Sequence, residues 1–519
     1  MRLLLTLPLL VCLSACSLTP PLERPVAPVP ASFPVVAATS ASPAPANALG
    51  WRAMFGDPRL QRLIDLALVN NRDLRLATLN VEAAQAQANI QRAARLPAVG
   101  LDGSRTRERA LSADTSGQTS REVSQQSGVN VTLSAFELDL FGRMRALSDA
   151  AFARYLASEQ GRDAAQIALV GAVAEAYFSQ RLADEQLQLT ERTLADWQQS
   201  LELARLLKQA EQNSSLDVAQ AEGQVAQSEV DLQARRRALA QADNALQLLV
   251  GSELPGDLPA GLPLERQSVI TQLTAGLPAD LLLNRPDLRQ AEQMLVAANA
   301  DIGAARAAFF PQISLTASFG YASTSLGSLF DPVGKVWRFA PQISQPLFQG
   351  GRLRAELRLT EVRKSEAVVQ YERAIQTAFR EVADALAGTV TFDRQIEAQL
   401  RAVRAAERRL QLSDLRYRAG VDGRLELLDA QRQLLAARQT LLELRREEIS
   451  NQVALYKSLG GGLHERDLLE IVAVEAAQPP RYRPDGIVHC DHGFGGSHCV
   501  RVGHRPRDHL LRRIHVQYI

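Results

Sequence analysis

Two kinds of apolar spacing alternate along this chain, one with a period of two and one with a period of seven. Ile313, Leu315, Ala317, Phe319 and Tyr321 interleave with Ser314, Thr316, Ser318 and Gly320. A second run sets Trp337, Phe339 and Ile343 against Arg338, Gln342 and Ser344. Earlier, Val129, Val131, Leu133 and Ala135 alternate with Asn130, Thr132 and Ser134, while Val99, Leu101 and Gly103 open a weaker strand. Period two gives a strand one apolar and one polar face. These runs approach about ten residues, the length a tilted strand needs to cross a bilayer. Stretches near 110–127 and 322–335, rich in Ser, Gly and Thr, read as the connecting loops.

Each strand pair is followed by a long stretch without proline, 142–254 and 347–478, built from Ala, Leu, Gln, Glu and Arg. All are good helix formers. Val218, Val225, Leu232, Leu239 and Leu246 recur every seven residues, as do Leu428, Leu435, Leu442, Ile449 and Tyr456. A sustained heptad implies left-handed coiled-coil packing. One helix from Gly142 to near Leu207 extends roughly 100 Å at 1.5 Å per residue. Breakers at 211–215 and 420–423 turn each stretch back on itself as an antiparallel helical hairpin. Shorter helices are expected over 58–95 and 287–308, each ending before a proline, Pro97 or Pro311.

The two halves repeat one another. Asp73-Leu74-Arg75 recurs as Asp287-Leu288-Arg289, and at an offset of 209 Leu201 matches Leu410, Leu216 matches Leu425, Arg236-Arg237 matches Arg445-Arg446 and Gly251 matches Gly460. The plan is a tandem duplication, 51–260 and 261–478, each half giving a helix, a strand pair and a long helical hairpin. Four strands cannot close a membrane barrel, and open edges in lipid leave backbone groups unsatisfied. Known small barrels begin at eight strands. Strand count alone permits eight strands from two chains or twelve from three. The fold class is an α+β membrane protein.

The ends of the chain differ from this body. Met1-Arg2 and the apolar Leu3–Leu13 form a signal peptide (1–15), too short to span a bilayer. It closes on Leu13-Ser14-Ala15-Cys16, which resembles the lipobox of bacterial lipoproteins. That resemblance makes Cys16 the acylated N-terminus, held by about 0.8 kcal/mol per buried CH2. An ordinary signal peptide is the alternative. Residues 16–50 form a Pro-rich tether, with eight prolines in 20–45. Residues 479–519 are an atypical His- and Arg-rich tail, expected to be disordered. Its His489-Cys490, His492 and His498-Cys499 match no strong zinc spacing.

Charge and composition exclude more than they select. Fifty-eight basic against 57 acidic residues leave a net charge of +1, which argues against a nucleic-acid binder. All seven histidines fall at 464 or later, so the body lacks the usual general base and zinc ligand. Carboxylate pairs such as Asp57 and Asp65 are too common to single out. No enzyme activity and no cofactor, beyond the covalent lipid on Cys16, is expected.

The stretch Ser413-Asp414-Leu415-Arg416-Tyr417-Arg418-Ala419-Gly420-Val421-Asp422, followed by Leu427-Leu428-Asp429-Ala430-Gln431, resembles the outer membrane efflux factors of the TolC/OprM type. Asn284-Arg285-Pro286-Asp287-Leu288, Phe309-Phe310-Pro311-Gln312-Ile313 and Leu455-Tyr456-Lys457-Ser458-Leu459-Gly460-Gly461-Gly462 agree with it, and the likeness covers about residues 13–475. The resemblance implies a homotrimer: a 12-stranded barrel in the outer membrane lipid, continued by a coiled-coil helical barrel through the periplasm. Its partners are a periplasmic adaptor and a proton-driven inner-membrane pump, and its task is passive conduction of small toxic compounds.

Within that frame the gate lies at the tip of the helical tunnel. Leu410 and Asp414 are four residues apart and share a helical face. Three copies of each would make an apolar constriction and an acidic ring. Arg416, Tyr417 and Arg418, further along the same helix, are candidates to tie the tip shut. Ser214, Ser215, Gly420 and Val421 are candidates for adaptor contact, with plain helix turns as the alternative. Phe319, Tyr321, Trp337 and Phe339 suit an aromatic belt at the membrane boundary. Rival readings are a duct for secreted proteins, a metal-ion exporter and a lipid-anchored coiled-coil scaffold without a pore. Only Met1, Met54, Met144 and Met294 are present, which disfavours a methionine path for soft ions. The alternation at 313–321 disfavours the scaffold.

Overall fold

The computed structural model describes residues 17–33, 49–113, 119–212, 214–267, 269 and 284–464. The chain divides into Met1–Leu468 and Leu469–Ile519. Cys16, the signal peptide and the His/Arg-rich tail lie outside the described residues, as do the tail's cysteines and histidines.

Trp51–Met54 forms a short helix, α1. Asp57 then caps α2 (Pro58–Asn70) by accepting a hydrogen bond from the Arg59 amide at 2.9 Å, with Pro58 in the first turn, where it sacrifices no bond. The single helix expected over 58–95 is two. Asn71 has extended backbone and separates α2 from α3 (Arg72–Ala93). Its side chain accepts from the Leu74 amide at 2.9 Å and donates to the Leu249 carbonyl at 2.8 Å. The break is therefore a cap that also ties the chain to the far hairpin.

Four strands form one antiparallel sheet in chain order: β1 (Val99–Ala113), β2 (Thr119–Leu138), β3 (Gln312–Ser323) and β4 (Lys335–Ser344). The second pair follows the alternation closely. The first pair is much longer than expected: in the stretch 110–127 that reads as a loop, 110–113 and 119–127 are strand, and 114–118 lie outside the described residues. Its Arg-, Glu- and Ser-rich sequence lacks the apolar alternation that marks the other strands. Ala135 does not continue the apolar face of β2. The register shifts between Leu133 and Phe136, Ala135 sits at φ 46°, and Phe136 takes the place opposite Leu315. This is a bulge, with two residues facing one.

Helices α4 (Arg143–Gln209) and α7 (Arg352–Arg418) are 67 residues each, close to 100 Å. Each starts from a left-handed glycine, Gly142 at φ 74° and Gly351 at φ 88°, which turns the strand segment into the helix. The Arg143 side chain is bonded to Glu137 across the first of these turns. Returning helices α5 (Ser215–Val250) and α8 (Arg424–Ser458) complete two antiparallel hairpins. The heptad residues Val218, Leu232, Leu246, Leu428, Ile449 and Tyr456 are buried. Helix α6 (Pro286–Ala307) leads into β3. Arg285 before it is buried and reaches Asp287, Glu381 at 2.8 Å and the Ser458 carbonyl at 3.1 Å, fastening α6 to both α7 and α8.

The main core lies midway along the long helices, where Leu60, Leu63 and Ile64 of α2 meet Val170, Val173 and Phe178 of α4 and Val382 and Val453 of the second hairpin. Asp57, almost fully buried, is a hub there. Its second oxygen accepts from the Tyr177 hydroxyl (2.6 Å), the Leu262 amide (3.0 Å) and the Gln267 amide group (3.0 Å). Burial, reinforced by this bond, pushes the Tyr177 hydroxyl pKa up. The tether also departs from expectation. Residues 17–33 have no regular structure but pack along the body: Phe33 stacks on Phe379 at 5.0 Å, Arg24 pairs with Glu292 at 2.9 Å, and Asn299 donates to the Pro20 carbonyl at 2.8 Å. Leu22, Ala27 and Val29 give this extended strap an apolar side to bury.

Candidate functional site

Among the described residues two places combine exposure with organised chemistry, the helical tip and the sheet. At the tip, α7 ends in Arg418 and α8 starts at Arg424, with Gly420 left-handed at φ 71° between them. Leu410 and Asp414 do share a face. They line a groove of about 320 Å³ with Trp197 of α4 and Leu427 and Leu434 of α8. Arg418 donates to Asp414 at 3.1 Å, and Arg416 grips Asp422 with two bonds of 2.6 and 2.8 Å. That bidentate contact holds the Asp422 carboxyl below the ordinary carboxylate pKa. Both pairs stand within one chain: Arg416–Asp422 joins the helix end to its own turn, Arg418–Asp414 lies within the last turn of α7, and Tyr417 is half-buried.

Ser214 opens α5 with a capping box: its hydroxyl accepts from the Asp217 amide at 3.2 Å, and its own amide donates to the Asp217 carboxylate at 3.1 Å. Ser215 is the first helical residue, and Gly420 and Val421 form the opposite turn. All four are exposed. Around them Leu216, Leu415, Val421 and Leu425 make an exposed apolar rim, with Leu216 and Leu425 each the second residue of its helix.

The tip also contains arginines that the motif reading passed over. Arg409 reaches Asp429 at 2.7 Å, Arg205 reaches Glu222 at 2.9 Å, and Arg432 reaches Gln224 at 2.8 Å. Arg424, buried, donates to Ser200 at 3.0 Å and so joins the second hairpin to the first. The contacts within a hairpin follow a mirror rule, since residues equally distant from a turn lie opposite each other. That signal was available in the sequence for Arg409 and Arg205. The bonds of Arg424 and Arg432 join different hairpins and had none.

On the sheet, the registers put Val99, Leu101, Val129, Val131, Leu133, Ala317, Phe319, Tyr321, Trp337 and Phe339 on one face. Asp102, Asn130, Thr132, Ser318 and Arg338 occupy the other. Phe319 faces Trp337 across the strands, Phe339 is one rung nearer the helices, and Tyr321 is one rung beyond, edge-on to Phe330 at 5.6 Å. Trp337 is 77% exposed and Phe339 61%. So large an open apolar surface needs a covering. Among the described residues no helix is long and apolar enough to cross a membrane, and none of their His, Cys, Asp and Glu side chains cluster in a way that could hold a metal ion.

The sequence profile of the family described as outer membrane efflux protein matches residues 63–252 and again 277–461. The toluene efflux pump outer membrane protein TtgI of Pseudomonas putida is 47% identical over 87% of this chain and 97% of its own length. The cation efflux system protein CusC of Escherichia coli is 44% identical over 87% of this chain and 96% of its own. Among solved structures, the open state of the Neisseria gonorrhoeae MtrE outer membrane channel superposes with a TM-score of 0.79 at 40% identity, covering 87% of this chain and all of that one.

Proposed function

The chain belongs to the outer membrane efflux protein family, outer-membrane channel components of tripartite efflux pumps, and on that premise we propose that three copies close one duct. The carrying observation is the sheet: four strands, apolar on one face and polar on the other, with β1 and β4 at its two edges. Three such sheets joined edge to edge give twelve strands, satisfy the edge groups and enclose a wet bore lined by Asp102, Asn130, Thr132 and Arg338. Phe319, Tyr321, Trp337 and Phe339 then face lipid as the aromatic belt. An origin by tandem duplication is supported by the two 67-residue helices, their equivalent glycines at 142 and 351, and the two segments that match one family profile.

The duct performs no bond chemistry; its work is passage and gating. Acylation at Cys16 is supported by the seat of its neighbour Ser17, which lines a recess with Arg95, Phe136, Asp139 and Arg145 where the sheet meets the helices. That border is where a lipid anchor has to enter the membrane. Leu410 and Asp414 form the constriction at the tip, and the Arg416–Asp422 and Arg418–Asp414 pairs hold it narrow. Ser214, Ser215, Gly420 and Val421, with their exposed leucine rim, meet the periplasmic adaptor, and a proton-driven inner-membrane pump supplies the energy.

Small organic toxicants are the substrate class this reading favours, in line with the toluene pump protein. The likeness to the cation efflux protein supports cation export as the second reading. Against it, Met54 is buried in the core and the chain has only four methionines. The test is conductance in planar bilayers: Asp414→Ala and Leu410→Ala enlarge the closed-state current, and recordings equal to wild type remove both residues from the gate. Accumulation of toluene and of metal cations in cells lacking the gene separates the two substrate readings.

A further inference from the structure

The apolar face of the β1–β2 hairpin changes character along its length. Beyond Gly103 that face presents Arg105, Arg107 and Arg109 of β1, and the next rung adds Arg121 of β2. Their partners across the hairpin are Ser127, Gln125 and Val123, while Glu108 belongs to the opposite face by strand alternation. All four arginines are exposed, and among the described residues none has an ion-pair partner. The result is a one-sided ladder of positive charge.

Its height places it against lipid. The helices join the sheet at Val99 and Leu138, so the opposite strand ends, Ala113 and Thr119, lie away from them and, in the barrel reading on which this inference rests, toward the exterior. Arg105 lies six residues beyond Val99 and Arg109 ten. With about 3.3 Å per residue and a tilt near 45°, these stand roughly 14 and 23 Å above the strand's foot. The apolar band of a membrane barrel is about 25 Å tall. The ladder thus runs from the outer half of the band to its upper boundary and past it. Guanidinium groups facing bare hydrocarbon there are unfavourable, and the long side chains reach upward to the headgroups. A guanidinium fork matches phosphate through two parallel bonds.

We propose that Arg105, Arg107, Arg109 and Arg121 form a binding site for the phosphate groups of a phosphorylated glycolipid in the outer leaflet, which anchors and orients the rim of the barrel. The experiment immobilises the purified full chain in detergent and titrates it with lipopolysaccharide, with dephosphorylated lipopolysaccharide and with phosphatidylcholine. Wild type is compared with the variant R105Q/R107Q/R109Q/R121Q, and wild-type conductance is recorded from the same preparation. The expected result is binding at least tenfold weaker in the variant, a similar loss for wild type when the phosphates are removed, and weakening by salt. Variant affinity within twofold of wild type, or equal binding of the dephosphorylated lipid, overturns the site. Should the fourfold variant not assemble, R107Q/R109Q carries the same comparison with a loss of about threefold. A wild type that does not conduct refutes the barrel reading instead, so the two failures are told apart.

Discussion

Replacing Asp57 by alanine tests whether one buried carboxylate holds the linker 251–267 against the first helical hairpin. The substitution removes the cap of α2, worth about 1 kcal/mol. It also leaves the Tyr177 hydroxyl and the Leu262 amide without their acceptor, about 1–3 kcal/mol each. Gln267 retains its bond to the Leu262 carbonyl at 2.7 Å and adds little to the loss. The cap is lost whether the linker is closed or open, so the two unpaired donors set the effect: at the low end about 2 kcal/mol, roughly thirtyfold in the population of the locally open linker. Tyr177→Phe deletes one donor and leaves Asp57 three, so its effect is nearer tenfold. Limited proteolysis under native conditions reads this population when reclosing outpaces cleavage. Fragments are mapped by mass spectrometry to the stretch between Gly251 and Gln267. Cleavage of Asp57→Ala at the wild-type rate, or equal sensitivity of both variants, refutes the hub.

At the tip, the Asp422 carboxyl has its pKa lowered by Arg416, so the link is intact above the unfolded value near 3.9 and is lost only as pH falls through the lower folded value. Closed-state conductance is therefore flat from about pH 5 to 8 and rises only below about pH 4; a step near neutrality would contradict the assignment. Arg424→Ala severs the buried contact with Ser200 and loosens the second hairpin from the first, which single-channel recordings register as frequent openings. Phe33→Ala removes the ring stacked on Phe379 and releases the strap, which hydrogen exchange over residues 17–33 detects as at least a tenfold loss of protection.

Periodicity was a good guide wherever one face of an element had to be apolar. The strands β3 and β4 and the long helices α4 and α7 follow the alternation and the proline-free stretches to within a few residues. It failed where no such face was needed. The upper parts of β1 and β2 lack the alternation of apolar and polar residues, so their Arg, Glu and Ser residues look like a loop. Asn71 interrupts a helical pattern without Pro or Gly, and its cap to Leu74 and bond to Leu249 are tertiary facts. The strap residues Leu22, Val29 and Phe33 lie in a Pro-rich stretch whose composition reads as a free linker, and only the groove beside α6 and α7 gives them a place. In the candidate site, the shared face of Leu410 and Asp414 follows from their spacing of four. Trp197, which completes that groove from α4, has no sequence relation to either.

In the proposed trimer each polypeptide supplies one third of a closed, water-filled barrel. Native mass spectrometry of the detergent-extracted chain measures this most directly. A complex of three copies that survives release from the micelle is expected, and a monomer or an even-numbered assembly would rule the shared barrel out.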